Sequence, residues 1–115
     1  MEIKDIVKQT YRSLDEKKAI DIKIIDISKV SVIADYFIIA GAANERQVKA
    51  LAENIEETLA KEGCFPKSTE GYTSANWILM DYQDVIIHIF NQEQRLFYDL
   101  ERIWTDGRIV EISEL

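Results

Sequence analysis

The strongest structural signal in this 115-residue chain is the stretch Asp35-Tyr-Phe-Ile-Ile-Ala-Gly-Ala-Ala-Asn44. Its apolar run ends at Gly41 and shows no alternation, which predicts a strand covered on both faces and therefore central in a sheet. Asn44 suits the N-cap of a following helix, and Gln47 makes a capping-box pair with it. The stretch therefore predicts a central strand that leads directly into a helix.

The chain before this stretch predicts one helix and one strand. Residues 3–18 have apolar side chains at helical spacing and charged residues at the other positions. The segment Asp21–Ile27 is rich in β-branched residues and too short for a helix, so it predicts a strand. The connector Ser28–Ala34 contains three apolar residues that we expect to pack against the core: Val30, Val32 and Ile33.

Two helices are predicted after this stretch. The first begins at Asn44, buries a stripe of apolar residues and ends before Gly63, which suits a left-handed C-terminal cap. The second begins at Asn91, where Gln94 repeats the capping pattern. It continues to about Trp104, with its apolar residues facing inward.

Three strands are predicted between these helices. A short strand lies around Lys67–Tyr72, and the strands Trp77–Tyr82 and Val85–Phe90 form a hairpin with its turn at Gln83-Asp84. The tail Thr105–Leu115 is expected to be loosely ordered, with apolar residues that offer contacts for docking. The element order is then α-β-β-α-β-β-β-α. A single mixed β-sheet flanked by helices is the simplest α/β fold that buries all the apolar stripes.

Length and composition indicate one intracellular domain. With 47% hydrophobic residues, 4 Gly and 1 Pro, the chain resembles neither a disordered nor a collagen-like sequence. Its longest apolar runs are short, whereas a membrane-spanning helix needs about 20 residues. The N-terminus shows no signal or transit peptide, and the single cysteine, Cys64, excludes an intrachain disulfide. We therefore expect a cytoplasmic protein with no membrane association.

The charge balance is acidic, with 21 acids against 14 bases and a formal net charge of −7. This balance argues against a protein that binds nucleic acid mainly through phosphates, so no sequence-specific nucleic-acid binding is expected. It suits a partner that presents a basic surface.

No residue pattern is typical of catalysis or of cofactor binding. Cys64 follows a helix C-terminus, where the dipole disfavours a thiolate, so we interpret it as a packing residue. His88, the only histidine, is interpreted as a structural or interface residue rather than a general base. Asp81 and Asp84 flank the hairpin turn, where aspartates more often cap the backbone than bind Mg²⁺. The loop Gly41–Asn44 lacks a phosphate-binding glycine motif. No cofactor or metal is expected.

Aromatic residues near the hairpin offer a different kind of site. Tyr72, Trp77 and Tyr82 lie close in sequence to the acids Glu70 and Asp81. Core packing explains any one of these aromatics. The mixture of tryptophan, tyrosine and carboxylates at strand ends is equally typical of a protein-binding hot spot. Composition leaves both interpretations open.

Five blocks of sequence follow one another along the chain: Asp35–Ala40, Asn44–Ala50, Glu70-Gly71, Trp77–Phe90 and Arg95–Trp104. In this order they resemble the ribosomal silencing factor family, also called Iojap-like. The resemblance covers residues 3–106, nearly the whole chain, and the combination of blocks is specific although no single block is. Residues 1–106 are accordingly interpreted as a ribosomal silencing factor domain, followed by a C-terminal tail at residues 107–115.

The resemblance implies an α/β fold similar to that of nucleotidyltransferases and a role without enzymatic activity. It implies binding to the large ribosomal subunit through ribosomal protein fourteen, which sterically blocks joining of the small subunit and represses translation. Family members also act in large-subunit biogenesis. The family's interface is built around the sheet and hairpin, so these residues are expected to bind the partner: Glu70, Gly71, Tyr72, Trp77, Asp81, Tyr82 and His88.

The chain departs from the family pattern at three places. Gly41-Ala42-Ala43 stands where relatives often carry Gly with Ser or Thr, and Gln83 stands where they often carry Gly. Asn91-Gln92 replaces a frequent His-Pro, which removes a proline suited to the first helical turn.

Two alternatives to this interpretation remain open at the level of sequence. An enzyme or nucleotide-binding protein of nucleotidyltransferase type would resemble its relatives in a Gly-Ser loop and an Asp-x-Asp metal pair, and this chain has neither motif. The second alternative is that the free protein forms a homodimer through an exposed sheet edge or an apolar surface.

Overall fold

The computed structural model describes residues 1–92 and 107–115. Their helices are α1 (Ile3–Glu16) and α2 (Glu45–Ala60), with a short 3-10 helix at Ile112–Glu114. Their strands are, in chain order, β1 (Ile20–Asp26), β2 (Tyr36–Ala42), β3 (Ser68–Glu70), β4 (Trp77–Asp81), β5 (Val85–Asn91) and β6 (Arg108–Val110). The predicted helix Asn91–Trp104, with Gln94 in its cap, lies largely outside the described residues.

All six strands form one mixed sheet in the order β3-β4-β5-β2-β1-β6. The central pair, β2 and β5, is parallel with Ile38 opposite Ile87, and the other pairs are antiparallel. Every residue of β2 is buried, because the strand has neighbours at both edges and packing on both faces. The prediction of a central strand at residues 35–40 is confirmed.

The two faces of the sheet support two hydrophobic clusters. One face packs against α1 and α2, whose fully buried residues include Leu14 and Leu51. The other face carries a second cluster whose buried sheet members are Ile25, Phe37, Ile39, Ile86 and Phe90. Trp77 and Leu79 pack at the margin of this second cluster and are only partly buried. Burial of apolar surface in both clusters is the main force that stabilises the fold.

The ends of α2 follow the predicted signals, with one difference. Asn44 Oδ1 accepts a hydrogen bond of 2.9 Å from the backbone N–H of Gln47. The Gln47 side chain accepts in turn from the N–H of Ala43, one residue before the cap, rather than from Asn44 itself. At the other end Gly63 adopts a φ of 75° and donates to the carbonyl of Ala60. The bond to Asn44 and the bond from Gly63 each satisfy a backbone group that a helix end leaves unpaired.

The expectation that the connector Ser28–Ala34 packs against the core is wrong for its three large apolar residues. Val30 and Ile33 are exposed and Val32 is fully so, whereas Ala34 is buried. The carbonyl of Ile27 accepts from the N–H groups of Val30 and Ser31. The chain therefore turns away from the sheet directly after β1 and projects these side chains into solvent.

The expectation of a loosely ordered tail is also wrong for residues 107–115, whereas the docking expected of its apolar residues is confirmed for Val110. Arg108–Val110 adds to the edge of β1 as a sixth strand, and Val110 is buried in the cluster beneath the helices. The Arg108 guanidinium lies 3.1 Å from the Glu114 carboxylate. A strand of three residues is too short to give a periodic signal, so pairing at a sheet edge is not visible in the sequence.

Candidate partner-binding site

Four of the seven residues predicted to bind a partner lie around one end of β4: Glu70, Gly71, Trp77 and His88. Trp77 lies opposite Phe90 in the β4–β5 pair, and Leu79 lies opposite His88. Glu70 lies opposite Leu79 on the other side of β4. Because directly opposed residues share a face of a sheet, these side chains are brought to the face of the second cluster.

Trp77 is held in place by a hydrogen bond and by ring stacking. Its Nε1–H donates to Nδ1 of His88 over 3.0 Å. Its ring stacks on Phe90 with centroids 5.1 Å apart, and the His88 ring meets Phe37 edge to face at 5.0 Å. His88 and the second cluster therefore fix the orientation of the indole.

His88 is a neutral, buried acceptor. Because Nδ1 accepts from the indole, the proton of the neutral ring sits on Nε2, which has no hydrogen-bond partner among the described residues. Burial lowers the pKa of His88 from 6.5 to about 4. With 4% of its surface exposed, His88 is itself largely inaccessible and orients the Trp77 indole, which agrees with its interpretation as a structural residue.

A shallow cavity of about 270 Å³ opens beside the indole. The described residues that line it are Glu70, Gly71, Trp77 and Leu79. Trp77 and Leu79 contribute apolar side chains to this lining, and Glu70 contributes an acidic residue. This combination suits a lysine or arginine side chain, whose stem packs on apolar surface while its charged end pairs with an acid.

Gly71 shapes the wall of this cavity. Its φ is 82°, a left-handed conformation that side chains rarely adopt. A Cβ atom at this position would overlap the carbonyl oxygen of Trp77. Gly71 therefore allows the chain after β3 to lie directly against the first residue of β4.

Tyr72 connects the same loop to α2. Its hydroxyl donates to Oε1 of Glu53, and this hydrogen bond raises the pKa of the phenol. The Lys49 ammonium lies 5.4 Å from the centre of the Tyr72 ring, within the range of a cation–π interaction. Tyr72 remains 41% exposed, so it lies at the surface between α2 and the cavity.

Asp81 and Tyr82 lie apart from these residues. Asp81 is at the far end of β4, where its Oδ1 accepts from the N–H of Gln83 over 2.7 Å and caps the hairpin turn. Gln83 has a φ of 74°, which fits the expectation that relatives often carry Gly there. Tyr82 is 5% exposed within the helix-side cluster, and burial raises the pKa of its hydroxyl. The structure therefore does not bring Asp81 or Tyr82 to the cavity.

Sequence reasoning missed four residues that build the site: Leu79, Phe90, Lys49 and Glu53. Alternation along β4 puts Leu79 on the face of Trp77, and this signal was available. The four-residue spacing of Lys49 and Glu53 shows that they share a helix face, but their contact with Tyr72 depends on the tertiary fold.

Other kinds of site find little support in residues 1–92 and 107–115. No helix there is long and apolar enough to cross a bilayer. No group of three His, Cys, Asp or Glu side chains is arranged there to hold a metal ion. Cys64 is partly buried, and burial raises the pKa of its thiol, which agrees with its interpretation as a packing residue.

The described residues define a small α/β domain, with a six-stranded mixed sheet, helices on one face and an aromatic cavity at one end. A family model described as "Ribosomal silencing factor during starvation" matches residues 1–115. The chain belongs to this ribosomal silencing factor family, as its sequence blocks predict.

Named relatives and solved structures agree with this assignment. The chain is 35% identical to the ribosomal silencing factor RsfS of Bacillus subtilis, over 98% of this chain and 96% of that one. It is 31% identical to the chloroplastic protein Iojap of Zea mays, over 88% of this chain and 44% of that one. A crystal structure of a Chromobacterium violaceum protein superimposes with a TM-score of 0.88 at 35% identity, over 91% of this chain and 88% of that one. A crystal structure of a Bacillus halodurans protein superimposes with a TM-score of 0.83 at 31% identity, over 93% of this chain and 97% of that one.

Proposed function

We propose that this protein binds the large ribosomal subunit through ribosomal protein fourteen and sterically prevents the small subunit from joining. Translation is then repressed by occlusion, without a catalytic step. The observation that supports this proposal most strongly is the family match, which extends over the whole chain.

The chemistry of the site supports a basic protein as the partner. The chain carries a net charge of −7, and the cavity combines the Glu70 carboxylate with the Trp77 and Leu79 side chains. Opposite charge speeds the encounter of two proteins, and a buried aromatic anchor slows their dissociation. A ribosomal protein that projects lysine or arginine at the subunit interface has the complementary surface.

Subunit joining tests the proposal directly. Purified large and small subunits are mixed with and without the protein, and joined ribosomes are separated on sucrose gradients. We expect added protein to lower the joined fraction in proportion to its occupancy of the large subunit. An unchanged joined fraction at saturating protein would contradict the proposal.

We expect Trp77→Ala to weaken binding to the large subunit by about 2 kcal/mol or more, because aromatic anchors dominate protein interfaces. Co-sedimentation with large subunits measures the change, after circular dichroism has shown that the variant is folded. Phe65→Ala is the matched control, since Phe65 is a large aromatic residue exposed elsewhere on the surface. Equal binding by wild type and a folded Trp77→Ala variant would remove Trp77 from the interface.

Two simple measurements address the alternatives. Calorimetric titration with nucleotide and Mg²⁺ gives no tight binding if the protein works by occlusion alone, and tight binding would favour a nucleotidyltransferase-type activity. Sedimentation at several protein concentrations shows whether the free protein forms a homodimer.

A further inference from the structure

The loop between β3 and β4, residues 71–76, is anchored differently in its two halves. Its second half is anchored to the core: Ala75 is fully buried in the helix-side cluster, and its N–H closes the loop by donating to the carbonyl of Gly71 over 3.0 Å. The carbonyl of Asn76 accepts from the N–H of Asn91 over 2.9 Å. Its first half contains Tyr72, which reaches across to α2.

Tyr72 contacts two side chains that lie one helical turn apart. Lys49 and Glu53 occupy positions i and i+4 of α2, so they face the same side. The Glu53 carboxylate accepts from the phenol, while the Lys49 ammonium lies over the ring. These two interactions fix both the tip and the plane of the Tyr72 side chain.

The same loop forms part of the candidate interface. Gly71, the residue before Tyr72, lines the cavity together with Glu70 and Trp77. Its close approach to the Trp77 carbonyl leaves little freedom between the loop and the start of β4. Because Gly71 is bonded directly to Tyr72, the contact between Tyr72 and α2 also restrains the wall of the cavity.

We propose that Lys49, Glu53 and Tyr72 form a latch through which α2 holds the loop in the shape that the partner binds. The proposal rests on the function proposed above, since it assumes that the Trp77 cavity meets the ribosomal partner. Tyr72 and Glu53 are positioning residues in this scheme, so Tyr72 supports the interface by holding the loop rather than by the direct contact that the family resemblance implies. Without the latch the loop adopts other conformations as well. The apparent affinity for the partner then falls in proportion to the fraction of molecules whose loop is in the binding-competent shape.

A double-mutant cycle tests the latch. The affinity for purified large subunits is measured for wild type, Tyr72→Phe, Glu53→Ala and the double variant. A hydrogen bond of this kind corresponds to a loss of about threefold to tenfold in each single variant. The double variant should bind no more weakly than either single variant, because both changes break the same bond.

Two further variants separate the latch from a loss of charge. Glu53→Gln keeps an acceptor oxygen and should bind nearly as well as wild type. Glu57→Ala removes an exposed carboxylate from the same helix and should also bind like wild type. Additive losses in the double variant, or unchanged affinity in Tyr72→Phe, would show that Tyr72 does not act through Glu53.

Amide hydrogen exchange gives a readout that does not involve the ribosome. In Tyr72→Phe we expect faster exchange at residues 71–76 and unchanged exchange in the central strands. Unchanged exchange at residues 71–76 overturns the latch. If wild type fails to bind large subunits while exchange behaves as expected, the proposed function fails and the coupling of the loop to α2 stands.

Discussion

Replacing Gly71 with alanine is expected to lower the free energy of unfolding by about 3 kcal/mol, because two unfavourable effects add. A φ of 82° is left-handed backbone that costs a Cβ-bearing residue about 1–2 kcal/mol. The new Cβ would also overlap the Trp77 carbonyl oxygen, which is backbone and cannot move aside without shifting β4. Urea unfolding followed by circular dichroism measures the change.

Gly63→Ala is the matched control for this prediction. Gly63 has nearly the same backbone conformation, with φ at 75°, but no described atom lies within 4 Å of a Cβ built there. Its substitution should cost about 1 kcal/mol, from backbone strain alone. Equal losses in the two variants would mean that contact with Trp77 contributes nothing at Gly71. Because Gly71 also shapes the cavity, its variant should bind large subunits less tightly than the Gly63 variant.

Acidification from pH 6.5 to pH 4 is expected to remove about 3 kcal/mol of stability through His88 alone. Burial lowers the pKa of the folded ring to about 4 from an ordinary value of 6.5. Below pH 6.5 the His88 ring of the unfolded chain is therefore protonated, whereas the ring in the folded chain is not protonated until the pH falls to about 4. The contribution of His88 is fully present above pH 6.5 and is lost as the pH falls through this window. Protonation at Nδ1 would also remove the acceptor for the Trp77 indole.

The comparison with His88→Gln isolates this titration. Glutamine does not titrate, and its side-chain oxygen is able to accept from the indole N–H. Carboxylates elsewhere titrate equally in both proteins, so the difference between their unfolding free energies as a function of pH reports His88. Parallel curves between pH 6.5 and pH 4 would show that the buried ring takes up its proton at an ordinary pKa.

Much of the fold follows from local patterns in the sequence. The run from Asp35 predicts the central strand, because an unbroken apolar stretch has to be covered on both faces. Asn44 and Gly63 predict both ends of α2, because caps depend on neighbouring residues alone. The edge strand Arg108–Val110 was missed because its order comes from pairing with β1, a distant segment that no local pattern identifies.

The sequence predicts only part of the candidate site, because some of its residues are recognisable from local patterns and others meet only in the folded chain. Trp77 and Glu70 are visible as an aromatic residue and an acid near strand ends, and the structure brings them to one cavity. Tyr82 looks equivalent in sequence, yet the alternation of the strand turns it into the helix-side cluster. The hydrogen bond between Tyr72 and Glu53 cannot be predicted from the sequence, because the two residues are 19 positions apart and meet only in the folded chain.

The strand order has a consequence for how fast the protein folds. The central parallel pair joins β2 to β5, which lie about fifty positions apart, so a long segment must close before the middle of the sheet exists. β1 receives its second neighbour only from β6, close to the chain's C-terminus. We therefore expect this sheet to fold more slowly than a helical bundle of the same size, because its central pair forms only after distant segments have met.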